Sequence, residues 1–209
     1  MNESTKGKTI AYFDKKLAEY GTTPKGVDWK DRESQFLRFD QLLKLLPLDT
    51  PFSLNDLGCG YGAFLPYALS KGYQIKKYNG YDISAKMLAE SRSFIRKYPP
   101  VTMLVLSDRI TFPADYSICS GTFNLKADEP DTLRTHYVLT ALDNMFEYSR
   151  IGFAFNCLTT EDLDFRVDNL YYADPHFYLS YCREQFSDDI ELMEHYGLYE
   201  WTMLVKKEV

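Results

Sequence analysis

The sequence predicts a single α/β domain whose mostly parallel sheet is flanked by helices. Three observations support this fold class. Short apolar runs typical of buried strands alternate along the chain with amphipathic helical segments, as in parallel sheets. A glycine-rich turn follows the first of these runs, at Gly58, Gly60 and Gly62. Residues 188–207 instead contain two strand-like runs around a Tyr-Gly turn, which indicates a C-terminal hairpin.

Length and composition suit one globular domain, which we place at residues 1–209. The chain is 45% apolar and 26% charged, which is ordinary for a protein with a core of its own. No apolar run approaches the ~18 residues needed to span a membrane, and the first residues lack the apolar core of a signal peptide. We therefore expect a cytoplasmic protein without a membrane partner.

Charge is distributed unevenly along the chain. Residues 1–110 hold 17 basic and 12 acidic side chains, a net charge of +5. Residues 111–209 hold 7 and 18, a net charge of −11. Because nucleic-acid binders usually present a basic face, the acidic half argues against such a partner and favours a neutral or cationic substrate. Solubility alone would also explain the acidic surplus.

The cysteines predict neither a metal site nor disulfides. They are far apart, no C-x-x-C pair occurs, and no histidine lies at zinc-ligand spacing. We expect no bound metal and four buried free thiols, at Cys59, Cys119, Cys157 and Cys182.

The N-terminal region predicts two helices ahead of the first strand. Residues 1–8 are polar, and we expect them to be disordered. Apolar residues recur at helical spacing over residues 10–20. A second helix follows, for which Asp31 is a suitable N-cap, and it ends at Pro47. Residues 10–47 are called the N-terminal cap below.

The next stretch, residues 53–82, is central to the prediction. A buried strand at 54–57 leads into the glycine-rich turn, a helix follows at 64–71, and a second strand follows at 78–83. Glycines permit positive φ and close approach of a ligand to the backbone, and the helix that follows presents free N–H groups. Because a carboxylate has two acceptor oxygens, Asp82 can accept from both hydroxyls of a ribose.

Later segments continue the alternation of helices and strands. Ser84 is a suitable N-cap for a helix that ends before Pro99, and residues 101–108 form an apolar run that we expect in a central parallel strand. A fourth strand with its exit loop (114–125), a long helix (131–150) and a fifth strand (151–158) follow.

An irregular, acidic and tyrosine-rich stretch follows the fifth strand. A long loop in a compact domain is usually functional or disordered, and disordered segments are poor in aromatic residues. We therefore interpret residues 158–175 as a substrate loop. A helix begins after it, at Asp174 and Pro175.

The glycine-rich turn supports a family resemblance. D-L-G-C-G-Y-G at residues 56–62, together with Asp82, resembles the first two motifs of the class I S-adenosylmethionine-dependent methyltransferases. The resemblance extends over residues 10–207 and includes segments similar to a bacterial subgroup of that family. It implies a Rossmann-like class I methyltransferase fold: a seven-stranded, mostly parallel sheet with a C-terminal antiparallel hairpin, flanked by helices. It also implies S-adenosylmethionine as the cofactor, with the N-terminal cap folded across it.

A nicotinamide-binding Rossmann domain is the alternative, because Gly58, Gly60 and Ala63 also satisfy G-x-G-x-x-G/A. Two features favour methyl transfer. The C-terminal hairpin fits the methyltransferase sheet, and no residues remain for a separate substrate domain. Acids also stand before the glycines, at Asp56, and after the third strand, at Asp108.

The resemblance implies roles for individual residues. Asp82 would bind the ribose, Asp108 the adenine amino group, and the backbone of Arg109 would meet the adenine ring. In the cap, Arg38 could bind the methionine carboxylate as a bidentate fork, and Trp29 could cover the sulfonium. The alternatives are a solvated helix charge for Arg38 and a core position for Trp29. The expected cofactor-binding residues are Trp29, Gln35, Arg38, Asp56, Gly58, Cys59, Gly60, Asp82, Ile83, Asp108, Arg109 and Ser120.

Residues expected near the methyl acceptor follow the fourth and fifth strands. Ser120, Thr122 and Asn124 lie at the carboxyl end of the fourth strand, where ligands bind in doubly wound sheets, although such residues are also ordinary loop formers. A general base helps a hydroxyl acceptor and is optional for an amine, and Asp174 and His195 are candidates for it. The expected catalytic residues are Asn124, Tyr171, Tyr172 and His176.

The sequence thus predicts an S-adenosylmethionine-dependent methyltransferase that acts on a small molecule: an amine, a hydroxyl compound or a sugar-derived acceptor. One alternative is a protein methyltransferase that holds a basic peptide against its acidic half. Another is a catalytically silent cofactor-binding module that works through a partner.

Overall fold

The computed structural model describes residues 3–161 and 166–208, and these residues form alternating helices and strands. The helices are α1 (Glu3–Tyr20), α2 (Arg32–Leu43), α3 (Phe64–Ser70), α4 (Ala85–Ile95), α5 (Asp131–Tyr148) and α6 (Pro175–Gln185). The strands are β1 (Phe52–Leu57), β2 (Ile75–Asp82), β3 (Val101–Leu106), β4 (Ala114–Cys119), β5 (Ser149–Thr159), β6 (Tyr172–Ala173), β7 (Ile190–Met193) and β8 (Glu200–Lys206).

The strands form one sheet in the order β3-β2-β1-β4-β5-β8-β7. Strands β1 to β5 are parallel, and β8 lies antiparallel between β5 and β7, which confirms the mostly parallel sheet with a C-terminal hairpin. The strand order reverses between β1 and β4, so the loops that follow these two strands face a common crevice. An eighth strand, β6, pairs with the end of β5 and lies within the predicted substrate loop.

The position of β3 was predicted wrongly. Its continuous apolar run suggested a central strand, but β3 is the edge of the sheet. The side chains of Val101 and Leu106 are 71% and 61% exposed. An apolar run alone does not determine how many neighbours a strand has, because the order of strands is set by tertiary packing.

The hydrophobic core lies in two layers, one on each face of the sheet. One layer packs α5 and α6 against inward-facing residues such as Phe153 and Phe155, which are fully buried. The other packs α2, α3 and α4 against the opposite face, around Leu54 and Ala154. The four cysteines are buried and free, as expected.

The first residues were also predicted wrongly, because α1 begins at Glu3 and not near residue 10. Its polar side chains find tertiary partners: the ammonium group of Lys6 lies 3.6 Å from the carboxylate of Asp108, and Lys8 pairs with Asp128. Thr9 is buried. A polar segment can therefore be ordered when its charges are paired across the fold.

Three predicted helix starts are confirmed by their capping bonds. Asp31 accepts from the backbone N–H of Ser34 at 2.8 Å, and Ser84 accepts from Met87 at 3.0 Å. Asp174 accepts from the N–H of His176 at 2.9 Å.

Two remaining predictions concern membranes and the substrate loop. No helix of the described residues is both long and apolar enough to cross a bilayer. In the predicted substrate loop, residues 162–165 lie outside the described residues. The remainder is tied to the sheet by β6 and by a bridge between Leu125 and Leu170.

Candidate functional site

The glycine-rich turn packs directly against the loop that follows β4. The N–H groups of Gly58 and Cys59 both donate to the carbonyl oxygen of Tyr81, at 2.8 and 2.9 Å, which ties the turn to β2. Gly58 has a φ of +75°, and a Cβ added there would lie 1.9 Å from the hydroxyl oxygen of Thr122. Both the conformation and the close contact therefore require glycine.

The carboxylate of Asp82 closes the other side of the turn. One oxygen accepts from the N–H of Gly60 at 2.9 Å, and the other accepts from the N–H of Ser84 at 2.8 Å. Burial raises the pKa of Asp82 to about 6, although these backbone donors act in the opposite direction. Since each carboxylate oxygen can accept more than one hydrogen bond, both oxygens can still accept from a ligand.

Asp56 is a second buried acid at the base of the turn. Its side chain is 2% exposed and accepts a 2.6 Å hydrogen bond from the hydroxyl of Tyr78. Burial, together with a smaller effect of the nearby charge of Asp82, raises the pKa of Asp56 to about 7, although the hydrogen bond from Tyr78 acts to lower it. A cationic ligand group next to these two acids would relieve their repulsion.

A cavity opens between the turn, the ends of β1, β2 and β4, and the N-terminal cap. Helix α1 contributes Thr9 and Phe13 to its wall. Three acids line it, and among the described residues that line it there is no Lys, Arg or His. Ten of the twelve expected cofactor-binding residues line this cavity: Trp29, Gln35, Asp56, Gly58, Cys59, Gly60, Asp82, Ile83, Asp108 and Ser120.

Two hydroxyl groups on the cavity wall fit a bound ligand. The side-chain oxygens of Thr9 and Ser120 are both buried and have no hydrogen-bond partner in the described part of the chain. Buried polar atoms are normally satisfied, so each such atom calls for an explanation. A polar ligand such as a nucleoside would give both hydroxyls a hydrogen-bond partner. The same ligand could also donate to the free acceptor positions of Asp82.

Trp29 and Gln35 bring the cap to the cavity. The ring of Trp29 lies against the backbone of Gly121, where an added Cβ would be 2.2 Å from the indole. The side-chain oxygen of Gln35 accepts from the hydroxyl of Tyr61 at 3.3 Å. Trp29 thus lies on the cavity wall and not in the core, which was its alternative placement.

Arg38 does not reach the cavity. Its Nε donates to Glu200 at 2.6 Å and its Nη1 to the carbonyl of Ser34 at 2.8 Å. The guanidinium also stacks on Trp29, 3.9 Å from the ring centroid. The guanidinium is therefore neither a solvated charge nor, in this arrangement, placed to bind a carboxylate in the cavity.

Arg109 is the other expected cofactor residue outside the cavity. Its N–H donates to the hydroxyl of Ser107 at 3.1 Å, and its carbonyl accepts from the same hydroxyl at 2.7 Å. Its side chain is 74% exposed. Both backbone groups are thus used within the turn, while the neighbouring Asp108 does line the cavity.

Two of the expected catalytic residues are held inside the fold. The amide of Asn124 donates to Glu200 at 3.1 Å and accepts from the N–H of Leu158 at 3.2 Å. The hydroxyl of Tyr171 lies 2.6 Å from that of Thr135 and 2.8 Å from that of Tyr178. Neither residue lines the cavity: the side chain of Asn124 joins the loop after β4 to β5 and β8, and the hydroxyl of Tyr171 joins the segment before β6 to α5 and α6.

The other two lie farther along the chain and also do not line the cavity. The hydroxyl of Tyr172 accepts from the N–H of Val167 at 3.0 Å. His176 is 67% exposed and lies 3.8 Å from Glu161. Pairing of β6 with β5 fixes this segment to the sheet, so the four expected catalytic residues are not brought together at the cavity.

Sequence reasoning missed several residues that line the cavity. Phe13 and Tyr137 lie in segments predicted as helices, and helical periodicity does not show whether an apolar helix face meets a core or a cavity. Thr9 lies at the junction between a segment expected to be disordered and the predicted start of α1. No local signal marked these three positions.

The fold and this cavity define a class: an α/β protein that binds a nucleoside cofactor at the switch point of its sheet. Comparisons with known proteins identify the family within this class. Residues 55–138 match the family described as Methyltransferase domain. A protein of Mycobacterium tuberculosis (strain ATCC 25618 / H37Rv), described as "Putative methyltransferase Rv1506c", is 38% identical over 166 residues, which cover 79% of this chain and 99% of that protein.

Solved structures share the fold at low sequence identity. Magnesium protoporphyrin IX methyltransferase of Synechocystis PCC 6803 with bound S-adenosylmethionine has a TM-score of 0.67 at 15% identity, and all of each chain is covered. The N-methyltransferase NodS of Bradyrhizobium japonicum WM9 has a TM-score of 0.68 at 15% identity, covering 95% of this chain and 98% of NodS. Phosphoethanolamine N-methyltransferase 1 of Haemonchus contortus has a TM-score of 0.69 at 12% identity, covering all of this chain and 50% of that one.

The chain belongs to the class I S-adenosylmethionine-dependent methyltransferases. S-adenosylmethionine is its cofactor, and the alternative of a nicotinamide enzyme is set aside.

Proposed function

We propose that the protein transfers a methyl group from S-adenosylmethionine to a small-molecule amine. The observation that carries this proposal is the cavity itself, whose wall holds three acids and, among its described residues, no basic side chain. Such a wall favours cationic and neutral ligands over anionic ones. Helix α1 and Trp29 form the wall of the cavity on the cap side, which leaves less room for a polypeptide than for a small molecule.

In this proposal the residues around the glycine-rich turn hold the cofactor. Asp82 accepts from the ribose hydroxyls with its free acceptor positions, and Asp108 accepts from the adenine amino group. Asp56 provides negative charge at the base of the turn. When bound, S-adenosylmethionine supplies an electrophilic methyl group on a sulfonium sulfur. The protein must then align the acceptor and exclude water, because positioning contributes most of such a reaction.

The chemistry of the wall favours an amine over a hydroxyl acceptor. A hydroxyl nucleophile benefits from a general base, but the described wall contains no imidazole, and its three carboxylates are assigned to the cofactor in this proposal. The phenol of Tyr137 lines the cavity, but burial raises its pKa well above the ordinary value. A neutral amine is nucleophilic enough without prior deprotonation, and its methylated ammonium product can lose the proton to solvent after transfer, so it needs no such base. The fold neighbours NodS and the Haemonchus enzyme are described as N-methyltransferases, which agrees with an amine.

The proposal is tested by measuring transfer of a radiolabelled methyl group from S-adenosylmethionine to two separate panels. One panel contains small amines and matched alcohols, and the other contains peptides. We expect product with small primary or secondary amines and none with matched alcohols. The acidic C-terminal half supports one competing function, methylation of a basic peptide. Label in Lys- or Arg-rich peptides that falls steeply with added salt would establish that function instead. Binding of cofactor without transfer in either panel would favour the silent module.

A further inference from the structure

A buried polar network lies behind the cap side of the cavity. Glu200, the first residue of β8, is 2% exposed, and its two oxygens have different partners. One accepts from Arg38 Nε at 2.6 Å and the other from the amide of Asn124 at 3.1 Å. Arg38 and Asn124 are each 7% exposed. Glu200 thus joins helix α2 to the loop after β4.

Stability alone is a weak reason for this network. Burial of an ion pair costs desolvation that its attraction often fails to recover, and well-packed apolar residues are frequently as stable. In agreement, burial raises the pKa of Glu200 even though Arg38 acts to lower it. A buried pair is better explained when the position of its members matters.

One end of the network leads to the cofactor cavity. The guanidinium of Arg38 stacks on Trp29 at 3.9 Å, and Trp29 is part of the cavity wall. The indole lies in turn on Gly121, whose N–H donates to the side-chain oxygen of Asn156 at 2.6 Å. The indole is therefore held between a cation fixed by Glu200 and a backbone fixed by β5.

The other end leads to the segment between β5 and α6. Asn124 accepts from the N–H of Leu158 through its side chain. Its carbonyl accepts from the N–H of Tyr171 at 2.7 Å, just before β6. Through Asn124, Glu200 is connected to the part of the chain predicted to carry the substrate loop.

We propose that Glu200 is a positioning residue that, through Arg38, holds Trp29 at the cavity wall and, through Asn124, links this wall to the loop after β4. The inference rests on the cavity binding the cofactor and does not depend on which acceptor is methylated. It also gives Arg38 and Asn124 roles that differ from those their sequence context suggested. Neither binds the ligand directly, and both act through their neighbours.

Glu200→Gln tests this role, because it keeps the shape of the side chain and removes its charge. Asp40→Asn is the matched control: Asp40 is an acid on the same helix α2 as Arg38, and it bonds to Tyr67, away from the cavity. The probe is S-adenosylhomocysteine, titrated by calorimetry. The position of Trp29 is read from acrylamide quenching of tryptophan emission, with Trp29→Phe used to subtract the signal of Trp201.

We expect Glu200→Gln to make Trp29 more accessible to quencher and to weaken S-adenosylhomocysteine binding about three- to tenfold, in the range for residues that couple through contact. Asp40→Asn should change neither. In the Trp29→Phe background, Glu200→Gln should have less effect on binding than in the original protein, because the residue it positions is gone. Arg38→Lys should move the Trp29 signal in the same direction, since lysine keeps the charge and loses the planar stack.

Two results would overturn the proposal. Unchanged quenching and binding in Glu200→Gln would do so, as would weakened binding that is equally large in the Trp29→Phe background. If Glu200→Gln does not fold, the same criteria apply to Arg38→Lys. Absence of S-adenosylhomocysteine binding by the unmodified protein is a separate failure, because it would remove the cofactor site itself.

Discussion

The two sides of the crevice differ in how their polar side chains are used. On the cofactor side, the acids after β1 and β2 line the cavity with acceptor positions to spare, and the hydroxyls of Thr9 on α1 and of Ser120 directly after β4 have no protein partner in the described chain. On the other side, in the later part of the loop after β4 and in the segment after β5, the polar groups of Asn124 and Tyr171 are satisfied by protein neighbours. We therefore expect the ligand to be bound by groups that the fold leaves with free donor or acceptor positions, whereas groups whose positions are used by protein neighbours hold the walls.

The largest expected effect is on the cofactor side, at Asp82. Asp82→Ala removes a charged acceptor that is worth ~1.5–3 kcal/mol when its bonds are lost, so S-adenosylhomocysteine should bind at least about tenfold more weakly. Asp143→Ala is the control, because Asp143 is an exposed acid on α5 that bonds to Tyr181. Calorimetry with both variants measures the difference. Equal affinities for Asp82→Ala and the original protein would remove the ribose assignment.

Acid pH should weaken binding through the same group. The carboxylate must be ionised to accept from two hydroxyls, and the pKa of Asp82 in the cofactor-free protein is about 6. Below that value affinity should fall by up to about tenfold per pH unit, with Asp56 adding to the loss from about pH 7 if its charge also assists. Titrations between pH 5 and 8 would show this, and a flat profile would contradict it.

The stability of the cofactor-free protein should change in the opposite direction. Both acids have pKa values raised above the ~3.9 of an unfolded chain. Their protonated forms therefore favour the folded state, and this contribution is complete below about pH 4 and lost as pH rises through about 6 to 7. Measured over this window, the pH slope of the unfolding free energy should be less negative in Asp56→Asn. An unchanged slope would contradict the burial of this acid.

The sequence predicted the cofactor side well because its signals are local. The glycine turn needs positive φ at Gly58, and Asp82 follows at the end of the next strand, so both can be recognised without knowing the fold. The role of Arg38 could not be predicted in this way. Its partner Glu200 lies 162 residues away in sequence, and only the packing of α2 beside β8 brings them together.

Other errors had the same origin. The apolar run of β3 looked central, but whether a strand has one neighbour or two depends on strand order. The N-terminal residues looked disordered because their charges were considered without Asp108 and Asp128, which pair with them. In each case the local pattern was read correctly, and the missing information was which other part of the fold the segment contacts.

A smaller effect is expected at Thr9. Thr9→Val keeps the shape of the side chain and removes the unpartnered hydroxyl, so S-adenosylhomocysteine binding should weaken about two- to tenfold, as expected for one neutral hydrogen bond. Thr140→Val is the control, because that hydroxyl bonds to the carbonyl of His136 within α5. If both variants bind equally well, the hydroxyl of Thr9 does not contact the cofactor.

The smallest effects are expected on the other side of the crevice. Tyr172→Phe and His176→Ala should leave S-adenosylhomocysteine affinity within about twofold, since surface changes away from a site are usually near neutral. Neither residue lines the cavity, and His176 is largely exposed. A large loss of affinity in either variant would show that the segment around α6 takes part in cofactor binding.

The most direct test of the account is a parallel calorimetric titration of the unmodified protein with S-adenosylmethionine, S-adenosylhomocysteine and NAD. The cavity at the switch point predicts affinities on the order of micromolar for the first two and no binding of NAD. NAD binding without binding of S-adenosylmethionine or S-adenosylhomocysteine would contradict the assignment of Asp56, Asp82 and Asp108 to S-adenosylmethionine.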